Sequence, residues 1–115
     1  MEIRKEVKEG VVVIYLTGNL LGEHANGPVL DFVKQNIEAG NKRVLFNLTD
    51  LKFINSTGLG MLMTSLARVR NAGGELILCN LPEIMTKLLK MMKLDTTFLI
   101  ASDEADAIDR LKLIQ

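Results

Sequence analysis

The sequence predicts an α/β layered domain, a mixed sheet whose mostly parallel central strands are covered by helices. Three observations lead there. Short apolar runs at residues 11–16, 44–46 and 76–79 are β-branched or continuous, as strands covered on both faces require. Between them lie segments whose apolar residues recur at helical spacing. Finally, Pro28 and Pro82 stand where helices would begin, and Gly40 and the pair Gly73-Gly74 where helices would end. The expected order is ββαβαβαβα.

Ile3, Lys5 and Val7 alternate with charged neighbours, which suggests an edge strand. Glu9-Gly10 reads as a tight turn into the run 11–16, so the first two strands form a hairpin. A polar, glycine-containing connection from 18 to 27 leads to a helix opening at Pro28, with Val29, Val33 and Ile37 at four-residue steps. Val44-Leu45-Phe46 with Leu48 is the third strand. The chain then turns after Thr49-Asp50 and enters a helix near Ser56, with Leu59, Leu62, Met63 and Leu66 as its inner stripe. Leu76-Ile77-Leu78-Cys79 forms the next strand. Pro82 opens a helix facing the core through Ile84, Leu88 and Met91 or Met92. Thr97-Phe98-Leu99-Ile100 is the last strand. Ser102 caps a closing helix that begins Asp103-Glu104 and turns Ile108 and Leu111 inward.

At 115 residues the chain fits one domain, taken as 1–115, with enough surface hidden on folding to need no staples. Hydrophobic residues make up 48%, which excludes a disordered chain. Fourteen Lys and Arg against fourteen Asp and Glu leave no basic field for a phosphate backbone, so no direct nucleic-acid partner is expected. The single cysteine, Cys79, cannot form an internal disulfide, and one histidine cannot anchor a Cys/His zinc site. The amino terminus alternates charge instead of offering an apolar stretch. The longest uncharged run, residues 53–67, is too short and too polar to span a bilayer. A soluble, cytoplasmic domain with no membrane insertion is the expectation.

Catalytic chemistry finds few residues. Gly58-Leu59-Gly60 begins a dinucleotide pattern whose third glycine position is Met63, and no glycine loop ends in Gly-Lys-Ser/Thr. His24 reads as a solvated loop residue and Cys79 as a small core hydrophobe. The acids show no paired spacing, and Gly18-Asn19-Leu20-Leu21 occupies the place where a receiver domain needs an acidic pair. No enzyme, cofactor or metal is expected.

Residues 50–60, Asp50-Leu51-Lys52-Phe53-Ile54-Asn55-Ser56-Thr57-Gly58-Leu59-Gly60, are the unusual segment. Ser56 or Asn55 suits a helix N-cap. Two glycines in a first helical turn cost up to ~1 kcal/mol each relative to alanine. Close approach of a partner backbone or a bulky ligand would account for them, and Gly58 is the position expected to receive it.

This segment resembles the signature of the STAS domain, named for sulfate transporters and anti-sigma factor antagonists. More specifically it is similar to bacterial antagonists of the partner-switching type. Asp50, Asn55, Ser56, Thr57, Gly58, Leu59 and Gly60 match the pattern position by position, and Leu16-Thr17-Gly18 and Gly73-Gly74-Glu75-Leu76 extend the likeness along the chain. The resemblance implies an anti-sigma factor antagonist. Its partner would be an anti-sigma factor that is also a serine kinase of histidine-kinase-like ATPase fold. Ser56 would be the phosphoacceptor, phosphorylation would end the antagonism, and a metal-dependent serine/threonine phosphatase would restore it.

Relatives often carry Asp where this chain has Asn55, and an acid after the second strand where it has Leu21, with Glu23 nearby. The partner surface implied is Leu21, Glu23, Asn55, Thr57, Gly58, Leu59, Gly60 and Met61, the last because it lies off the Leu59, Leu62, Leu66 stripe. The alternative is a non-switching STAS subunit of a transporter or other signalling complex, in which Ser56 only caps the helix. A monomer or weak dimer fits either reading.

Overall fold

The computed structural model describes residues 2–21 and 23–114, leaving aside the side chains of 23–26. Strand β1 (Glu2–Lys8) turns at Glu9-Gly10 into β2 (Val11–Leu20), and the two pair antiparallel as the sequence predicts. Both turn residues have positive φ, 53° and 81°, matching the right-handed twist of a two-residue hairpin. Helix α1 (Glu23–Glu38), β3 (Arg43–Asn47), β4 (Leu51–Ile54), α2 (Ser56–Asn71), β5 (Glu75–Cys79), α3 (Glu83–Met91), β6 (Leu99–Ala101) and α4 (Glu104–Lys112) follow. The six-stranded sheet runs β1-β2-β3-β5-β6, with β4 on the far part of β2. Among the described residues only the β1–β2 pair is antiparallel.

Alternation along the strands sorts side chains to two faces. Val12, Ile14, Val44, Phe46, Leu76 and Leu78 pack under α1, α2 and α3. Val11, Val13, Leu45, Ile77 and Cys79 pack against Ala107, Ile108 and Leu111 of α4. Cys79 is fully buried, and burial pushes its thiol up to about 12, so it stays a protonated hydrophobe as expected.

The structure departs from the sequence expectation at several elements. Strand β4 is additional. Its parallel pairing gives residues 18–20 a partner, so β2 continues where a loop was expected, across a bulge between Gly18 and Asn19. Helix α1 starts at Glu23, placing Pro28 inside it. Only the carbonyl four residues earlier loses its helical partner there. Along α2 the buried face includes Gly58, Met61 and Ser65, while Met63 is exposed. Small Gly58 and polar Ser65, whose hydroxyl donates to the Met61 carbonyl at 3.0 Å, do not register as apolar, so a hydrophobicity pattern misplaces the stripe. In α3 the core residues are Met85 and Leu89, whereas Ile84, Met91 and Met92 are exposed. Strand β6 begins at Leu99, since Phe98 is drawn into the core. The cap of α4 is Asp103, whose carboxylate accepts the Asp106 N–H at 2.8 Å, one residue beyond Ser102.

A polar clasp holds α4 to the hairpin. Glu104 accepts hydrogen bonds from Lys8 Nζ (2.7 Å), the Tyr15 hydroxyl (2.6 Å) and Asn47 Nδ2 (3.2 Å). Burial alone would raise the Glu104 carboxyl, but these donors outweigh it and hold the group below its usual range. A depressed carboxyl stabilises the fold fully above its unfolded value, about 4.3, and that contribution disappears as pH falls through the lower folded value. Glu104→Gln is expected to cost about 1–2 kcal/mol at pH 7, because the donors lose a charged acceptor. The cost should shrink in acid, so chemical denaturation of both proteins at pH 7 and pH 3 checks it. A difference that does not narrow on acidification would contradict the assignment.

Candidate functional site

The site grows from the meeting of the end of β2, strand β4 and the start of α2. The β2–β4 pairing brings the Leu20 carbonyl to the Asn55 N–H at 3.3 Å, and Gly18 N–H to the Asp50 carbonyl at 3.0 Å. Asn55 is extended (φ −115°, ψ −177°) and caps α2, its Oδ1 accepting the Gly58 N–H at 2.9 Å. Its Nδ2 donates to the Leu21 carbonyl. Of the two cap candidates in the sequence, Asn55 therefore does the capping. Ser56 becomes the first residue of α2, exposed, and its hydroxyl makes no hydrogen bond among the described residues.

The electrostatics favour an anion at this position. The cap is a neutral amide and the first turn carries no acid, so no side chain of α2 offsets its positive end. An oxyanion on Ser56 would meet free-standing helix dipole instead of carboxylate.

The residues expected at the partner surface divide. Leu21 (47% exposed), Asn55, Ser56 and Thr57 are accessible, and Gly60 has open space where a Cβ would stand. Gly58, Leu59 and Met61 are buried, which corrects their placement on a contact surface. Gly58 does serve a close approach, but to its own chain: a Cβ there would lie 2.1 Å from the Leu20 carbonyl oxygen. Its φ is not positive, so steric room alone requires glycine. The Glu23 and His24 side chains lie outside the described residues.

Two further apolar residues are exposed where the sequence reading did not place them outside. Phe53 on β4 is 56% exposed, and Met63 lies seven residues past Ser56 on the outer stripe that also contains Gly60. Nothing in the local sequence marks Phe53 as exposed, because β4 itself carried no strand signal. Among the described residues no group of three His, Cys, Asp or Glu could hold a metal ion, and no helix is long and apolar enough to cross a membrane.

An α/β domain that exposes a hydroxyl with no hydrogen bond among the described residues, on a helix whose first turn carries no acid, and that also exposes Leu21, Phe53 and Met63, has the make-up of a protein-binding module. The chain belongs to the STAS domain family, whose pattern matches residues 2–107. It is 25% identical over 119 residues to an anti-sigma F factor antagonist of Paenibacillus polymyxa, covering 99% of this chain and 97% of the relative. The fold is shared with the anti-sigma factor antagonist SpoIIAA in its unphosphorylated form, with a TM-score of 0.76 and 24% identity over 96% of this chain and 98% of the other. The phosphorylated form of SpoIIAA, the Bacillus cell fate determinant, gives a TM-score of 0.72 with 28% identity over 95% and 98%.

Gly58 and Gly60 make a paired test of the local geometry. Gly58→Ala should destabilise the domain by about 2 kcal/mol or more, since the new methyl meets backbone. Gly60→Ala should stabilise it by up to ~1 kcal/mol, because the space is open and alanine is the better helix former. Denaturant midpoints of the two variants should move in opposite directions; a Gly58→Ala midpoint equal to or above that of wild type would refute the packing role of Gly58.

Proposed function

We propose that this protein is an anti-sigma factor antagonist working as a phospho-switch, a single domain of residues 1–115 that acts by binding and not by catalysis. Unphosphorylated, it engages an anti-sigma factor that is also a serine kinase of histidine-kinase-like ATPase fold. Phosphorylation of Ser56 ends that engagement, and a metal-dependent serine/threonine phosphatase reverses it. The setting is the cytoplasm, and the working form is a monomer or weak dimer. The observation that carries the reading is that Asn55 performs the capping, leaving the exposed Ser56 hydroxyl with no structural duty.

Family membership and the names of the relatives give this reading its partner class. The physics gives it a mechanism. A phosphate on Ser56 adds about −1.5 to −2 charges. The helix end tolerates that charge, so the domain stays folded. A docked partner must desolvate it, and an unfavourable charge at an interface costs several kcal/mol. Leu21, Phe53 and Met63 are exposed apolar side chains available for contact with a partner, and Thr57 and Gly60 lie in the same first turns of α2 as the hydroxyl. The non-switching alternative gave Ser56 to capping, a role that Asn55 fills.

With a cognate kinase and ATP, the protein should gain one phosphate, mapped by mass spectrometry to Ser56 and not to Thr57. Ser56→Ala should melt within about 0.5 kcal/mol of wild type, because the cap is retained on Asn55. It should bind the kinase regardless of ATP. Ser56→Asp should keep or slightly raise stability, yet bind at least about tenfold more weakly. Melting curves and titration calorimetry check both. An Asp variant that binds as tightly as wild type would defeat the switch.

A further inference from the structure

Leu21 is the first residue beyond β2, and its carbonyl is held by the Asn55 amide. The same carboxamide accepts the Gly58 N–H, while the Asn55 backbone N–H reaches the Leu20 carbonyl and its own carbonyl receives the Leu59 N–H at 2.9 Å. Gly58, lacking a Cβ, lets the first turn of α2 settle against that Leu20 carbonyl. One side chain thus fastens two segments far apart in sequence, joining the exposed Leu21 to Gly58 in the helical turn that begins with the exposed Ser56.

We propose that Asn55 is the positioning residue of the Ser56 site: its carboxamide clasps the backbone leaving β2 to the first turn of α2, so that Leu21 and Ser56 meet the partner as one rigid surface. This deepens the phospho-switch reading and rests on it for the identity of the partner, though not for the clasp itself. The chemistry requires an amide. A carboxylate of the same size accepts the Gly58 N–H equally well, but it turns an oxygen toward the Leu21 carbonyl, acceptor against acceptor. A serine hydroxyl caps the helix but is too short to span to Leu21 as well. Capping and clasping are therefore separable by substitution.

The test compares wild type, Asn55→Asp and Asn55→Ser as full chains. In both variants the Gly58 amide and the amides of α2 should keep their protection from hydrogen exchange, since the cap survives. The Leu20 amide, paired to β4, should exchange about tenfold faster, and the Leu21 carbonyl carbon resonance should move upfield as its hydrogen bond is lost. The second arm uses ATP and a serine kinase that phosphorylates the wild-type chain. Each variant should raise KM for the protein substrate about tenfold with kcat within twofold, the split expected when a surface is loosened but the acceptor hydroxyl is intact. Wild-type exchange at Leu20 together with an unmoved Leu21 carbonyl resonance in both variants overturns the proposal. So does a KM change in Asn55→Asp that is absent from Asn55→Ser, since charge and not the clasp would then be responsible. A kinase arm in which even wild type gains no phosphate on Ser56 counts against the phospho-switch reading, while the exchange arm still decides the clasp.

Discussion

The parallel pairing of β4 with the last residues of β2 is the contact on which the geometry around Ser56 depends. Register Gly18↔Leu51, Asn19↔Phe53 and Leu20↔Ile54 joins segments about thirty residues apart, and everything around Ser56 follows from it. It prolongs β2 past the point where β3 stops accompanying it. It brings the Leu20 carbonyl over the first turn of α2, where only a residue without Cβ fits. It also delivers Asn55 to the spot where its backbone, its Oδ1 and its Nδ2 each find a partner. A loop at residues 51–54 would leave the helix N-terminus unanchored, and the hydroxyl it presents would have no fixed address.

The two faces of the sheet divide the labour. On one, three helices bury the larger core, with Phe46, Leu59 and Leu62 fully enclosed. On the other, a single short helix covers a smaller cluster and gains a polar fastening from Glu104 to Lys8, Tyr15 and Asn47. Asn47 links this fastening to the turn before β4, because its Oδ1 accepts the Thr49 N–H at 3.0 Å. The Thr49 hydroxyl in turn accepts from Asn80 Nδ2 at 2.8 Å. The segment leading to Ser56 is thus steadied from both ends, by hydrogen bonds to the sheet before β4 and by the Asn55 amide after it.

Division of roles between adjacent residues explains how a serine sits exposed at a helix start without holding the cap. Capping by a serine ties its oxygen to backbone N–H groups, the atoms that a phosphate would need to displace. With Asn55 in that role the oxygen of Ser56 is released, and a charge added to it acts on whatever docks there more than on the fold beneath.

The sequence by itself determined the layer architecture, the hairpin at Glu9-Gly10, the two-sided strands at Val44-Leu45-Phe46 and Leu76-Ile77-Leu78, and the start of α2 at Ser56. These are set by periodicity, turn chemistry and uninterrupted burial, which leave a mark in neighbouring residues. The resemblance of residues 50–60 to a known signature pointed to the family on the same local terms. Only the tertiary structure decided which side of each helix is buried, because Gly58 and Ser65 face inward for reasons of room and hydrogen bonding that no hydropathy pattern records. It also decided that Met61 lies in the core and Met63 outside, and that Asn55 rather than Ser56 holds the cap. Strand β4 was invisible for a related reason: four residues, LKFI, gain their strand character from β2, a partner remote in sequence.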